Sequence, residues 1–506
     1  MFTRREPTAR PHDVDSKGRF RPGSRRLPFR RQQGAFAIMC AGSLIVMLGM
    51  CAVAIDIGQM YNRKAELHGM AKAVALAAAG QLDGTSAGVT NALNKAAAVA
   101  ATYRHTYSSS YTWSDSAIRF SRSPAPNGDW ISAEGARGQP AGVYYVEVDT
   151  TRLDDGSGSG ATFMAGVLSP ALASFAISDR AIAGRANLKI TPLAICAMSP
   201  DAGALRANPG PPIANELVEF GFRRGVSYDL MALNPDGTGG ETFVVDPFAL
   251  PGGSYASSNT TPSKVGPSVC AGKIWAPGVM GAPIHVSRPF PLASLFNHLN
   301  SRFDDYTTGD CNANGAPPDF TVKPFARATG AWMGHTGEQT AKPYTGGGRA
   351  ETVADPLTAP DGTTAENYGV LWSYAKAVKY ASYTPGAREP NRGYTTFGTG
   401  DWASLYKPKP GVSGYPSGSE TPYQAVSGSN YSAPSAAHLA ISQTGRRVLN
   451  IPLLACPVPA GADATATVLG IGRFFMTVPA TSTTISAEFA GTVPESALVG
   501  KVELFL

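Results

Sequence analysis

One short stretch has the residue types and spacing of a calcium-binding loop. Asp310, Asn312 and Asn314 alternate and are followed by Gly315, which matches the D-x-N-x-N-G opening of such a loop. Hard cations prefer a ring of oxygen ligands, and the glycine permits the sharp turn between them. The twelfth position, where a bidentate glutamate belongs, is Thr321, and two prolines interrupt the loop. We therefore interpret this stretch as a polar turn and keep calcium binding as the alternative.

Catalytic patterns are incomplete elsewhere in the chain. Residues 84–88 spell G-x-S-x-G, but a nucleophile elbow needs a strand before the serine, and here a helical pattern precedes it. None of the seven histidines has H-E-x-x-H or H-x-H spacing. We therefore predict no enzymatic activity and no cofactor. The alternative, a membrane-tethered hydrolase, requires a serine, a histidine and an aspartate, or a metal cluster, to converge in the fold.

The six cysteines divide into two groups. Cys40 and Cys51 lie in an apolar run, where a thiol acts as a small apolar side chain. The other four cysteines follow that run, at positions Cys196, Cys270, Cys311 and Cys456. In an oxidising compartment they predict two disulfides, with three possible connectivities, and isolated buried thiols are the alternative. Because there is no C-x-x-C pair, redox and metal chemistry are not expected.

The environment of these residues depends on a 22-residue run, 34–55, that contains no charge and no proline. About 20 apolar residues at 1.5 Å rise cross the hydrocarbon core of a bilayer. The run is longer than the apolar region of a cleaved signal peptide, and the helical pattern continues beyond it. Arginines precede it, and basic residues keep their flank of a span in the cytoplasm. We predict a single-pass protein of a bacterial inner membrane, with a cytoplasmic N-terminus and a periplasmic or extracellular C-terminal region.

The net charge of +6 comes from the residues that precede the apolar run. The first 31 residues carry nine arginines and one lysine against three acidic residues, so the rest of the chain is close to neutral. We interpret this charge as a topology determinant, and we expect no nucleic-acid partner. Charged residues make up only 16% of the chain, below the roughly 25% of an average domain, and the 56 glycines and 40 prolines indicate many turns and short strands.

The periodicity of apolar residues predicts an α+β fold. Leu67, Met70 and Val74 recur at helical spacing beyond the apolar run, so we expect one transmembrane helix that extends into an amphipathic helix. A β-rich exported region with short helices follows. The expected segments are a basic cytoplasmic leader (1–33), a transmembrane helix (34–55), a helical stalk (56–110), a small α+β proximal domain (111–190), a β-rich domain (191–339), an irregular Gly/Pro/Ser-rich insertion (340–440) and C-terminal strands that complete the β-rich domain (441–506).

Residues 30–80 combine a specific set of features. Two basic residues precede a Gly-Ala pair, an apolar span, an Asp-x-Gly-x-x-Tyr motif and an Ala-rich helix that opens with Glu-Leu. The residues concerned are Arg30, Arg31, Gly34, Ala35, Asp56, Gly58, Tyr61, Glu66 and Leu67. This combination resembles the N-terminal module of the TadE/TadG-like family, which are assembly proteins of Flp (tight-adherence) pili. The resemblance implies a pilin-like stalk with assembly contacts at Gly34, Asp56, Tyr61 and Glu66.

The chain departs from the family pattern in two places. Larger members carry a von Willebrand A domain whose metal motif, Asp-x-Ser-x-Ser, follows a strand. Here the expected strand 188–197 is followed by Met-Ser-Pro-Asp, so that metal site is not carried over. Pilin-type members are cut after a glycine that has a glutamate five residues on. The fifth residue after Gly34 is Met39, so we expect a permanently anchored protein.

The resemblance implies a non-enzymatic, periplasm-facing component of Flp/Tad-type pilus assembly or of a related secretion machine. Its expected partners are the inner membrane, other pilus or pseudopilus subunits, and assembly-platform proteins. The alternative is a pilus-associated adhesin that binds surfaces or glycans through the β-rich region. Aromatic residues that recur between 368 and 423 are the candidate sugar-stacking surface in that case.

Overall fold

The computed structural model is a mixed α/β structure with one long apolar N-terminal helix and a β-rich remainder. It describes residues 33–105, 109–125, 128–153, 158–162, 165–208, 213–236, 239–307, 311–326, 343–346, 349–352, 370–385, 389–390, 392–406, 415 and 419–505. The chain divides into two compact units. The anchor unit comprises residues 1–59 and 161–174, and the β-rich unit comprises residues 60–160 and 175–506.

The helices and strands of the described residues are as follows. The α-helices are α1 (Gln33–Ala79), α2 (Ser86–Ala100), α3 (Ala133–Gly138), α4 (Ala165–Leu168), α5 (Pro262–Ala271), α6 (Leu292–Asn300) and α7 (Trp402–Leu405). The strands are β1 (Arg104–His105), β2 (Ser109–Ser110), β3 (Ile118–Ser121), β4 (Tyr145–Asp149), β5 (Ser159–Ala161), β6 (Ser174–Ala176), β7 (Arg180–Leu188), β8 (Leu193–Cys196), β9 (Ala204–Arg206), β10 (Glu216–Glu219), β11 (Phe222–Arg223), β12 (Ser227–Asp229), β13 (Thr242–Val245), β14 (Ile284–Ser287), β15 (Pro343–Gly346), β16 (Arg349–Thr352), β17 (Val448–Leu454), β18 (Asp463–Ala466), β19 (Val468–Met476), β20 (Ser486–Thr492) and β21 (Val499–Phe505).

The apolar half of α1 belongs to the anchor unit. It has no proline and is apolar on every side, a pattern typical of a helix that lies in an apolar environment. Its large apolar side chains are exposed from Phe36 to Ile57, whereas Ala52 and Asp56 are buried. Among the described helices, only this one is long and apolar enough to cross a membrane.

The amphipathic half of α1 packs into the first core of the β-rich unit. Leu67, Met70 and Val74 are fully buried there with residues of α2 and of a four-stranded antiparallel sheet ordered β21-β7-β4-β3. Helix α2 begins after Thr85, whose side chain accepts a hydrogen bond from the Gly88 N–H at 3.1 Å. The final strand β21 pairs with β7, so it completes this sheet and not the larger one expected for the C-terminal strands.

The larger sheet has eight strands in the order β12-β20-β19-β17-β8-β13-β14-β18, and β17 and β8 run parallel. Its main core contains Phe222, Phe474 and Phe489, whose rings pack at centroid distances of 5.2–5.4 Å. Helices α5 and α6 contribute Val265 and Leu295 to the same core. Strand β8 is shorter than the strand expected at 188–197, because Leu188 ends β7 and residue 192 is a proline.

The described aromatic residues of the 340–440 region are mostly interior. Trp372 packs edge-on against Trp402, and both side chains are buried with Tyr406 and Tyr423 in the main core. These described residues are therefore packed against the main core. Residues 353–369, which include Tyr368, lie outside the described part of the chain, as does the basic leader up to residue 32.

Candidate functional site

Asp56 is the best-positioned of the predicted assembly residues. It lies one residue beyond the apolar run, and its side chain is buried, with 3% exposure. One carboxylate oxygen accepts a hydrogen bond from the Ala165 N–H at 2.6 Å. The carboxylate therefore caps the first turn of α4, a short helix from a segment 109 residues away. This intramolecular role was not predicted from the sequence.

The segment that meets Asp56 is closed by its own hydrogen bonds. The Thr162 N–H donates to the Ala173 carbonyl at 3.0 Å, and the Thr162 hydroxyl donates to the Leu172 carbonyl at 2.5 Å. The same hydroxyl accepts from the Gly166 N–H at 3.0 Å. These bonds join the two ends of residues 161–174, which we call the capping segment.

The other predicted assembly residues have different surroundings. Gly34 is exposed, with no atom within 4 Å of the position that a Cβ would take. The Tyr61 side chain is 74% exposed, which makes its ring available to a partner. Glu66 lies 3.5 Å from the Arg63 guanidinium, the spacing of an intrahelical i,i+3 pair. The four residues occur along one helix and do not form a single cluster.

The four cysteines that follow the apolar run form two disulfides. The bonds join Cys196 to Cys456 and Cys270 to Cys311, which selects one of the three connectivities left open by the sequence. Cys40 and Cys51 are free and exposed on α1. Glu241 lies close to the first disulfide, but the two sulfurs are joined to each other and offer no thiolate to a metal.

The calcium candidate is partly outside the described residues. Asp310 falls there, whereas Asn312 and Asn314 are described and exposed. The side-chain oxygen of Asn312 accepts a hydrogen bond from the Gly315 N–H at 2.8 Å. This bond is typical of the polar Asx turn that we preferred for this stretch.

A serine, a histidine and an aspartate converge between strands β14 and β18, which the sequence analysis missed. Ser287 donates to Asp463 at 2.6 Å, and His285 Nε2 lies 3.5 Å from both of these side chains. A catalytic triad needs the serine on one ring nitrogen and the aspartate on the other. Here one nitrogen faces both, and the buried Nδ1 has no hydrogen-bond partner among the described residues. The i, i+2 spacing of His285 and Ser287 on a strand was the available signal.

A second cluster of a serine, a histidine and an aspartate also lacks the geometry of a catalytic triad. His438 Nδ1 lies 2.5 Å from Asp304 and 3.1 Å from the Ser435 hydroxyl, so one nitrogen again meets both groups. Burial opposes ionisation of Asp304, but hydrogen bonds from Ser435 and His438 lower its pKa below the usual value. The arrangement stabilises a loop junction and does not provide the two-sided relay of a hydrolase.

The interior of the β-rich unit holds several charged groups that are paired. Glu216 accepts hydrogen bonds from Arg206 at 3.1 Å and from Arg223 at 2.9 and 3.0 Å. Glu488 accepts from the backbone N–H groups of three consecutive residues, 373–375, and from the Ser373 hydroxyl. Burial raises the pKa of Glu488 to about 7 despite these bonds. Both carboxylates have no exposed surface, so we assign them a structural role.

One cavity of about 420 Å³ has a polar wall and an apolar floor. Arg224 donates to Glu219 at 2.6 Å and to Glu389 at 2.8 Å, and Arg473 donates to Glu389 at 3.2 Å. Tyr383 and Tyr394 stand beside this network with ring centroids 6.2 Å apart. The two arginines and the two glutamates together carry no net charge, so this part of the cavity lining offers hydrogen-bonding groups without a net charge. No sequence motif connects these residues, which lie on separate elements.

Comparisons with protein-family models, with characterised proteins and with solved structures found no match to this chain. The features that bear on function are therefore those of the residues described above. They form a membrane-length apolar helix surface, a buried carboxylate at its end and a disulfide-containing β-rich unit.

Proposed function

We propose that this chain is a non-enzymatic, inner-membrane-anchored component of Flp-type pilus assembly or of a related secretion machine. The observation that carries the proposal is the exposure of the apolar half of α1, in which only 6% of the most apolar 18-residue window is buried. A surface of that length and composition fits a bilayer. The arginine-rich leader supports a cytoplasmic N-terminus, because basic residues keep their flank of a span in the cytoplasm.

Two disulfides support an exported location for the β-rich unit. Such bonds persist in oxidising compartments such as the periplasm. In this proposal α1 is a stalk that leaves the membrane and continues into a folded head. The exposed Tyr61 ring and the open surface at Gly34 are the contacts available to pilus subunits or to the assembly platform.

The test is a count of surface pili by electron microscopy in a deletion strain complemented with variants. We expect wild type to restore pili and Tyr61→Ala to restore few. Tyr61 has little contact with its own chain, so its loss removes a partner contact without disturbing the fold. Tyr61→Phe keeps the ring and is the matched control. Normal pili and normal adherence in the deletion strain would refute the pilus assignment.

The cavity favours a second candidate function, a pilus-associated adhesin. Carboxylate and guanidinium groups hydrogen-bond sugar hydroxyls, and Tyr383 and Tyr394 offer rings beside them. The test is glycan-array binding by the full-length chain in detergent, compared with Glu389→Gln. Glu503→Gln, which changes an exposed carboxylate elsewhere, is the control. Normal pili together with lost adherence in the deletion strain would favour this function over assembly.

A further inference from the structure

The capping segment contains no side chain that would tie it to water by charge. Residues 161–174 read ATFMAGVLSPALAS and contain no charged side chain. The uncharged stretch extends from residue 156 to residue 178. Residues 421–445 of the β-rich unit also lack aspartate, glutamate, lysine and arginine, so composition alone does not distinguish the capping segment. Its position beside the apolar helix does.

The position of the segment is set by Asp56. Its carboxylate holds the Ala165 N–H at 2.6 Å, and residues 161–174 form one compact unit with the apolar half of α1. A helix rises 1.5 Å per residue, so Asp56 lies within one turn of the end of the 34–55 run. If that run spans the bilayer, the capping segment lies at the membrane–water boundary.

Exposed apolar side chains on the two parts of the anchor unit agree with this position. On α1, Val53, Ile55 and Ile57 are 42%, 51% and 59% exposed. On the capping segment, residues 171–174 are exposed, and Leu172 is 53% exposed. The bonds of Thr162 to residues 166, 172 and 173 pair several backbone groups within the segment. Such pairing lowers the cost of moving a loop towards lipid.

We propose that the capping segment, through its described residues 165–174, is a second membrane contact, an interfacial loop inserted at the headgroup–acyl boundary beside the transmembrane helix. This inference rests on the proposed function, in which residues 34–55 span the bilayer. The occupant of the surface is the lipid itself, because the bond from Ala165 to Asp56 holds the segment beside the end of the span and the segment carries no charge that would select an ionic partner. Asp56 is the positioning residue that holds the loop to the helix.

The contact has a consequence for the assembly role. A single transmembrane helix rotates freely about its axis, whereas a helix with a loop seated in the interface on one side has a preferred rotation. The capping segment would then orient Tyr61 towards one direction in the membrane plane. Binding depends on apolar burial and not on charge, so it is expected in purely zwitterionic lipid.

The test uses the full-length chain in nanodiscs that contain one copy each and only phosphatidylcholine. Cys40→Ser and Cys51→Ser remove the free thiols, and single cysteines are introduced by Leu172→Cys, Met47→Cys or Val426→Cys. Each is labelled with an environment-sensitive nitrobenzoxadiazole probe and quenched with spin-labelled lipids. Met47, 63% exposed on α1, reports on the span, and Val426, 75% exposed in the β-rich unit, is the aqueous control.

We expect strong quenching at positions 47 and 172 and little at position 426. Quenchers near the headgroup should act best on position 172, and quenchers near the chain end should act best on position 47. Quenching at 47 with none at 172 would overturn the interfacial loop and leave the proposed span intact. No quenching at 47 would overturn the proposed function and this inference with it. Equal quenching at 172 and 426, or quenching at 172 only in discs with two copies, would also overturn the loop assignment.

The positioning role of Asp56 is tested separately, by quenching of the probe at position 172. In the Leu172→Cys background, Asp56→Ala removes the acceptor of the Ala165 N–H, and we expect a weaker signal from the headgroup quencher. Asp56→Asn keeps an acceptor oxygen and should restore the signal. Equal quenching in both variants would show that the loop seats itself without Asp56, which overturns the positioning role.

Discussion

In the anchor unit the large apolar side chains from Phe36 to Ile57 are exposed and one carboxylate, Asp56, is buried. The β-rich unit has the opposite arrangement of apolar side chains. Its apolar side chains form interior cores, and several of its buried charges, such as Arg223 and Glu216, are paired. The comparison shows that apolar side chains indicate a protein interior only where the protein is surrounded by water. For α1 the exposed apolar surface is the reason to propose lipid outside.

The buried ion pairs of the β-rich unit give the largest expected effect. Glu216→Ala would leave Arg206 and Arg223 buried without their carboxylate, and we expect a loss of about 3–5 kcal/mol in the free energy of unfolding. The measurement is urea denaturation of the detergent-solubilised chain. Glu503→Ala, which breaks the exposed pair with Lys501, should cost less than about 1 kcal/mol. Equal costs would show that burial does not distinguish the two pairs.

Replacing cysteines in each unit tests the difference between the two units. Replacing Cys196 and Cys456 by serine opens a loop of 260 residues, and we expect a loss of about 2–5 kcal/mol. The pair Cys270 and Cys311 closes only 41 residues, so its removal should cost about 1.6 kcal/mol less. Replacing Cys40 and Cys51, which are free on α1, should leave the free energy of unfolding unchanged. A large loss from the latter pair would contradict the division between the units.

The same substitution in both units sharpens the comparison. Val46 and Val426 are both exposed, at 58% and 75%. Val46→Arg places a charge in the proposed span, at a cost of about 3 kcal/mol for membrane insertion, whereas Val426→Arg should be silent. The measurement is the fraction of the chain that stays with membranes after carbonate extraction. If both variants stay fully membrane-bound, the apolar half of α1 does not face lipid.

A pH dependence is expected from the β-rich unit. In the unfolded chain Glu488 releases its proton near pH 4.5, but in the folded chain its pKa is raised to about 7. Between these values the folded state binds more protons, so the contribution of Glu488 to stability is greatest below pH 4.5 and is lost as the pH rises through 7. We expect a loss of about 2 kcal/mol between pH 5 and pH 8 from this group.

The control for this prediction is Glu488→Gln, which cannot titrate. Its absolute stability should be lower, because an amide nitrogen would face the donors of residues 373–375. Its dependence on pH should nevertheless be flatter than that of wild type. Parallel pH profiles for the two proteins would assign the dependence to other groups.

Local patterns in the sequence were informative where the structure depends on neighbouring residues. The uncharged run 34–55 and the spacing of Leu67, Met70 and Val74 predicted the long helix and its buried face, both of which the structure has. The even number of exported cysteines predicted two disulfides. Composition and the helical period of 3.6 residues depend only on residues that are close along the chain, so both can be read from a single sequence.

Tertiary structure alone decided the contacts between distant segments. The partner of Asp56 is 109 residues away, the Cys196–Cys456 bond spans 260 residues, and β21 joins the sheet of β7 rather than the larger one. The cavity beside Tyr383 likewise draws on several elements. Each of these contacts depends on how all the intervening segments pack, and no local pattern of residue types contains that information. The sequence by itself determined that α1 is a membrane-length apolar helix, and the fold determined which loop lies against its end.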